Sequence, residues 1–132
     1  MSKRNQAART LVILGSGVLF VAVVLHCLAY MKFSPGVGAS NLPPALQSVA
    51  RVGFLAMPWD WIVIATIALV ATFGETRLRK ALVLICGLAI LAETALTLGF
   101  VDFFIGNELL ATAGVLLLCG GIAFDTQREG PR

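Results

Sequence analysis

Four ionisable side chains lie within long apolar stretches of this chain, where such residues are rare and usually functional. They are one histidine and three carboxylic acids: His26, Asp60, Glu93 and Glu108. A histidine beside carboxylic acids can donate or accept a proton near neutral pH and can hydrogen-bond a ligand. The four residues are therefore candidates for a ligand site or a proton site, and Glu93 is expected either to be protonated or to pair with His26.

Each of these residues also has a structural interpretation. Asp60 and Glu108 would then be interfacial residues in contact with water. His26 would be a core histidine that is hydrogen-bonded to a neighbour, and Glu93 a protonated or paired structural acid. The sequence alone leaves both interpretations open.

The usual cofactor and catalytic patterns are missing from the sequence. A haem-binding bundle usually needs two axial ligands, and the chain has a single histidine. The three cysteines, Cys27, Cys86 and Cys119, form no closely spaced reactive pair. Histidine with carboxylates can bind iron or manganese, but the Glu-x-x-His repeats of di-iron proteins are absent. We therefore expect no metal, no cofactor and no catalytic residue, and an enzyme is the least favoured class.

The composition indicates a membrane protein of one domain, residues 1–132. Apolar residues make up 58% of the chain and charged residues 13%, about half the charged share of a soluble domain. So short a chain cannot build a core large enough to bury that much apolar surface in water. The basic residues lie at the ends of apolar runs, not in one patch, which argues against a nucleic-acid partner.

Four stretches are long enough to cross the hydrocarbon as helices, which takes about 20 residues. They predict an all-α, integral membrane four-helix bundle with spans at about 10–31, 52–73, 81–101 and 103–124. Backbone amides in lipid must find partners within the chain, so the spans should be helical. The second span could instead begin at Pro58, because proline suits the first turn of a helix. A start near Val52 gives a fuller span and is preferred, although it buries Pro58 and Asp60.

The basic residues predict the orientation. Eight of them fall on the side of the termini and of the connection between spans two and three, and two, Lys32 and Arg51, fall on the other. The positive-inside rule then places both termini in the cytoplasm. We expect a multi-pass protein of the plasma (inner) membrane.

The two outer connections should differ. Spans three and four are joined around Asp102 in a tight hairpin. About 20 residues join spans one and two in a long first outer loop, where Pro35, Gly36 and Pro43 argue against a regular element, apart from a short surface helix between Pro44 and Met57.

Depth and helical spacing predict how the four ionisable residues meet. By the number of residues from the ends of the spans, all four lie in the outer half of the membrane. His26 shares a face with Gly15 and Ala22, and small residues mark close helix contacts in membranes. Glu108 shares a face with Thr112, Val115 and Cys119, and we expect that face to point inward. His26, Glu93 and Glu108 should then approach one another in a cavity open to the outside, with Asp60 at its rim.

The layout resembles the DoxX-like group of small four-helix membrane proteins over about residues 10–124. The shared features are four short spans, a long first outer loop, a tight last hairpin and an acid that opens the final span in Asn107-Glu108-Leu109-Leu110. The resemblance implies a four-helix bundle with a small hydrophobic or quinone-like ligand.

The leading functional hypothesis is a non-catalytic integral membrane protein that binds a small ligand or serves as an accessory subunit of a larger membrane complex. The alternative is a proton-coupled transporter or channel subunit in which Glu93 titrates. The expected partners are membrane lipid and either other membrane subunits or further copies of this chain.

Overall fold

The structure, a computed structural model, describes residues 2–74, 78–100 and 105–124, and most of these residues are helical. The helices are α1 (Lys3–Gly38), α2 (Pro44–Phe73), α3 (Arg79–Phe100) and α4 (Ile105–Ala123). Each is long and apolar enough to cross a membrane. This confirms the predicted all-α class and the four candidate membrane helices, and it suggests a multi-pass integral membrane protein.

The helices form a ring in which each one packs against its two neighbours in chain order, with α4 closing the ring on α1. The contacts of α4 with α1 and with α3 are the most extensive, and the contact between α2 and α3 is the least extensive. The α2–α3 side is therefore the looser side of the bundle.

Glycines produce the close packing around α4. A Cβ atom on Gly87 of α3 would lie 2.7 Å from the backbone nitrogen of Leu118. On α4 itself, a Cβ on Gly114 would lie 2.8 Å from Leu91, and one on Gly120 would lie 2.7 Å from Val12. Small residues let membrane helices approach closely and gain van der Waals contact, so these glycines fix the position of α4 between α1 and α3.

Two arginines bind the carboxyl ends of neighbouring helices at one end of the bundle. Arg4 donates from Nε to the carbonyl oxygen of Ala123 at 3.0 Å, and Arg79 donates from Nε to that of Ala71 at 3.2 Å. The last carbonyls of a helix have no partner within it and attract cations. These bonds hold the start of α1 against the end of α4, and the start of α3 against the end of α2.

The prediction of a long irregular first loop is wrong. Helix α1 continues through Pro35 to Gly38, and α2 begins at Pro44, so the connection is residues 39–43. Contacts between the two extended ends explain this: Arg51 donates to the carbonyl oxygen of Ser34 at 3.3 Å, and Phe33 stacks on Phe54 at 4.2 Å between ring centroids. This packing outweighs the local preferences of proline and glycine.

Helix α2 also begins earlier than either start that the sequence suggested. Residues 44–57 form its first half and are not a separate surface helix, and Pro58 lies inside it. The predicted hairpin around Asp102 lies outside the described residues.

Candidate functional site

The site begins with a backbone carbonyl that Pro58 leaves without a helical partner. In an α-helix the carbonyl of residue i accepts from the N–H of residue i+4, and proline has no N–H. Pro58 is buried within α2, so the carbonyl oxygen of Phe54 has no such donor. His26 of α1 fills the position, with Nε2 at 2.8 Å from the Phe54 oxygen.

This hydrogen bond determines the tautomer of His26. A carbonyl oxygen only accepts, so Nε2 carries the proton and donates it. In the neutral imidazole the other nitrogen, Nδ1, then keeps its lone pair and is an acceptor. Among the described residues Nδ1 has no hydrogen-bond partner.

Aromatic rings hold the imidazole in place. The His26 ring stacks on Phe54, with 3.9 Å between centroids, and meets Trp61 edge-on at 5.1 Å. Phe33 stacks on Phe54 as well, and Tyr30 packs against it at 5.9 Å. His26 is therefore fixed by one hydrogen bond and two ring contacts, all from α2.

Glu93 lies on the other side of Trp61. The indole Nε1–H of Trp61 donates to Glu93 Oε1 at 2.8 Å, and Trp61 itself is only 4% exposed. The bond joins α2 to α3 across the least extensive interface of the bundle. Within the described residues, Trp61 is the only hydrogen-bond donor to Glu93, so this carboxyl group has a neutral partner.

A cavity of about 320 Å³ opens between the four helices beside His26 and Trp61. Its wall is mainly apolar, and all four helices contribute to it: Ala22, Leu25, His26, Ala29, Phe54, Met57, Trp61, Thr97, Ile105, Gly106, Leu109 and Leu110. Thr97 is a second polar side chain on the wall, and its Oγ1 donates to the carbonyl oxygen of Thr94 at 2.9 Å. A groove of about 490 Å³ between α1 and α4 is lined by residues without polar side chains and offers no side chain for acid–base chemistry.

The structure separates the four residues that the sequence singled out. His26 lines the cavity, and Glu93 binds the Trp61 indole without lining it. Asp60 and Glu108 are exposed and do not line the cavity. Glu108 lies in the first turn of α4, where a carboxylate interacts favourably with the helix dipole.

The predicted inward face of the last helix is wrong. Glu108, Thr112, Val115 and Cys119 are all exposed. The buried face of α4 instead carries its glycines, because they allow the neighbouring helices to approach most closely.

Sequence reasoning missed three residues of this region: Phe54, Trp61 and Asn107. The spacing of Phe54 and Pro58, four residues apart, is a signal for an unpaired carbonyl. Asn107 is 1% exposed, and among the described residues neither its amide nitrogen nor its amide oxygen has a hydrogen-bond partner. Its spacing from Leu110, Gly114, Leu117 and Gly121 would have placed it on the buried face.

In the described part of the chain, no group of three or more His, Cys, Asp or Glu residues is arranged to hold a metal ion. No protein-family model, curated protein or solved structure matches the chain.

Proposed function

We propose that this chain is a non-catalytic, multi-pass protein of the plasma (inner) membrane that holds a small, largely apolar ligand between its helices. The cavity beside His26 carries this proposal. Ligand sites are concave and mostly apolar, with a few polar groups that fix the orientation of the ligand. The cavity fits that description in volume, in its lining and in the placement of His26 and Thr97. The resemblance to the DoxX-like group implies a ligand of the same kind.

The proposal includes an orientation with both termini in the cytoplasm. Lys3, Arg4, Arg9, Arg79 and Lys80 belong to one end of the bundle, and Lys32 and Arg51 to the other. Basic residues favour the cytoplasmic side.

We expect Asn41→Cys to react with a membrane-impermeant maleimide on intact cells and Lys3→Cys to react only after permeabilisation. Both positions are exposed, and both variants are made in a chain in which the three native cysteines are replaced by alanine. The reverse labelling pattern would show the opposite orientation.

The ligand is tested by purification in a mild detergent, solvent extraction and mass spectrometry. We expect a small organic molecule to co-purify with the wild-type chain and to be lost from Ala29→Phe, which adds a ring to the cavity wall. Ala92→Phe is the matched control, since Ala92 is exposed and does not line the cavity. Equal recovery from both variants, or no molecule enriched with the wild type, contradicts the proposal.

A second candidate is a proton-coupled transporter or channel subunit that uses Glu93. It is favoured by the pairing of Glu93 with a neutral indole, because a carboxyl group without a cationic partner can lose and regain a proton without breaking an ion pair. The Glu93→Gln side chain keeps an oxygen that can accept the hydrogen bond from Trp61, but it cannot bind or release a proton. Under this candidate the substitution abolishes proton flux in proteoliposomes, whereas under the leading proposal it leaves the cavity ligand bound.

A further inference from the structure

The polar side chains on the cavity wall use their hydrogen-bond donors within the protein but leave some of their acceptors unused. His26 Nε2–H donates to Phe54, Thr97 Oγ1–H donates to Thr94, and Trp61 Nε1–H donates to Glu93. Each side-chain donor on the wall is thus already used within the protein. Two acceptors are left over: the lone pair of His26 Nδ1 and those of Thr97 Oγ1.

From this inventory we infer that the ligand is a neutral apolar molecule with a hydroxyl group, such as a phenol or an alcohol. The inference rests on the proposed function and names the class of ligand. An apolar ligand in the cavity would exclude water from these acceptors, and leaving a buried acceptor without a hydrogen bond is unfavourable. A hydroxyl group on the ligand can donate that hydrogen bond. A ligand whose only polar groups are carbonyls or ethers cannot make this bond.

A protonated amine is the other donor of matching size, and the wall disfavours it. Glu93 does not line the cavity and is bound by Trp61, while the two free acceptors are neutral. An ammonium group would be desolvated there without a counter-ion, which is costly. The structure therefore assigns the site to a neutral donor.

The experiment compares three probes of nearly equal size: 4-hexylphenol, its methyl ether and 4-hexylbenzylamine. The chain has two tryptophans, so Trp59→Phe leaves Trp61, on the cavity wall, as the only indole fluorophore. Each probe is titrated into this variant in detergent, and its Kd is corrected for the partition of the probe into protein-free micelles.

We expect the phenol to bind about 3–10-fold more tightly than the ether, the usual effect of one hydrogen bond. The ratio of the Kd of the ether to the Kd of the phenol should fall to about one when the residue that supplies the acceptor is replaced, in Thr97→Val or in His26→Phe. Thr97→Val keeps the shape of the side chain and the His26–Phe54 bond, so one acceptor is tested even where His26→Phe fails to fold.

Equal binding of the phenol and the ether, or tightest binding of the amine, overturns the hydroxyl assignment and leaves the ligand cavity itself in place. Should none of the three probes change the Trp61 emission while Ala29→Phe and Ala92→Phe also co-purify the same molecules, the proposed function fails together with the inference.

Discussion

Replacing Gly87 by alanine is expected to destabilise the bundle by about 1–3 kcal/mol, the range for overpacked cores. The new Cβ would lie 2.7 Å from the backbone nitrogen of Leu118 and 3.0 Å from its Cα. Backbone atoms cannot rotate away as a side chain can. The substitution must therefore separate α3 from α4 or shift one along the other, with loss of the contacts that Gly114 and Gly121 make with α3.

Gly17→Ala is the matched control, because its Cβ meets nothing within 4 Å. It should leave stability unchanged or raise it by up to about 1 kcal/mol through helix propensity. Both free energies of unfolding are measured in mixed micelles with increasing sodium dodecyl sulfate, followed by circular dichroism. If the two substitutions have the same effect, the close contact between α3 and α4 does not hold the bundle together.

The same glycines explain which part of the fold could be predicted from the sequence. The number and type of the elements could be predicted, because apolar runs of about 20 residues have only the helix available to them in lipid. The buried face of α4 could not be predicted from its polar residues: Glu108 and Thr112 suggested one face, and the glycines pack on another. Backbone approach at a glycine contributes more to packing there than an inward polar side chain does.

The first connection shows a second limit. Pro35 and Gly36 have local preferences against a helix, and a sequence pattern registers only those preferences. The interactions that extend α1 and α2 come from residues 17 to 21 positions apart, in the pairs Ser34–Arg51 and Phe33–Phe54. Such pairings become visible only when the two helices are placed side by side.

The sequence could predict ionisable residues of the site, but it could not predict their hydrogen-bond partners. His26 and Glu93 were identified because ionisable groups are unusual in an apolar run. Their partners are a backbone carbonyl and an indole N–H, groups that occur throughout such a chain and give no compositional signal. Only the absence of an N–H at Pro58 distinguishes the Phe54 carbonyl from its neighbours.

That dependence of His26 on Pro58 gives the last prediction, a double-mutant cycle. His26→Ala should destabilise the wild-type chain by about 1–3 kcal/mol beyond its loss of ring packing, because it leaves the Phe54 carbonyl unpaired. In Pro58→Ala the new N–H of residue 58 can donate to that carbonyl, so the same His26→Ala substitution should cost only the ring packing. We therefore expect a coupling free energy between residues 26 and 58 of about 1–3 kcal/mol, within the range for interacting residues.

The control cycle pairs His26→Ala with Pro35→Ala, since Pro35 also lies inside a described helix and is nine residues beyond His26 on α1. Those two changes should be additive within about 0.5 kcal/mol.

A second readout comes from ¹⁵N NMR of the single histidine: the wild-type ring should be the Nε2–H tautomer, and Pro58→Ala should shift it toward a mixture. If the 26–58 cycle is as additive as the 26–35 cycle, and the tautomer is unchanged in Pro58→Ala, then the missing N–H of Pro58 is not what binds His26 to α2. In that case the stacking on Phe54 holds the ring. The hydrogen bond from Nε2 then no longer determines the tautomer, and Nδ1 is no longer assigned as an acceptor in the cavity.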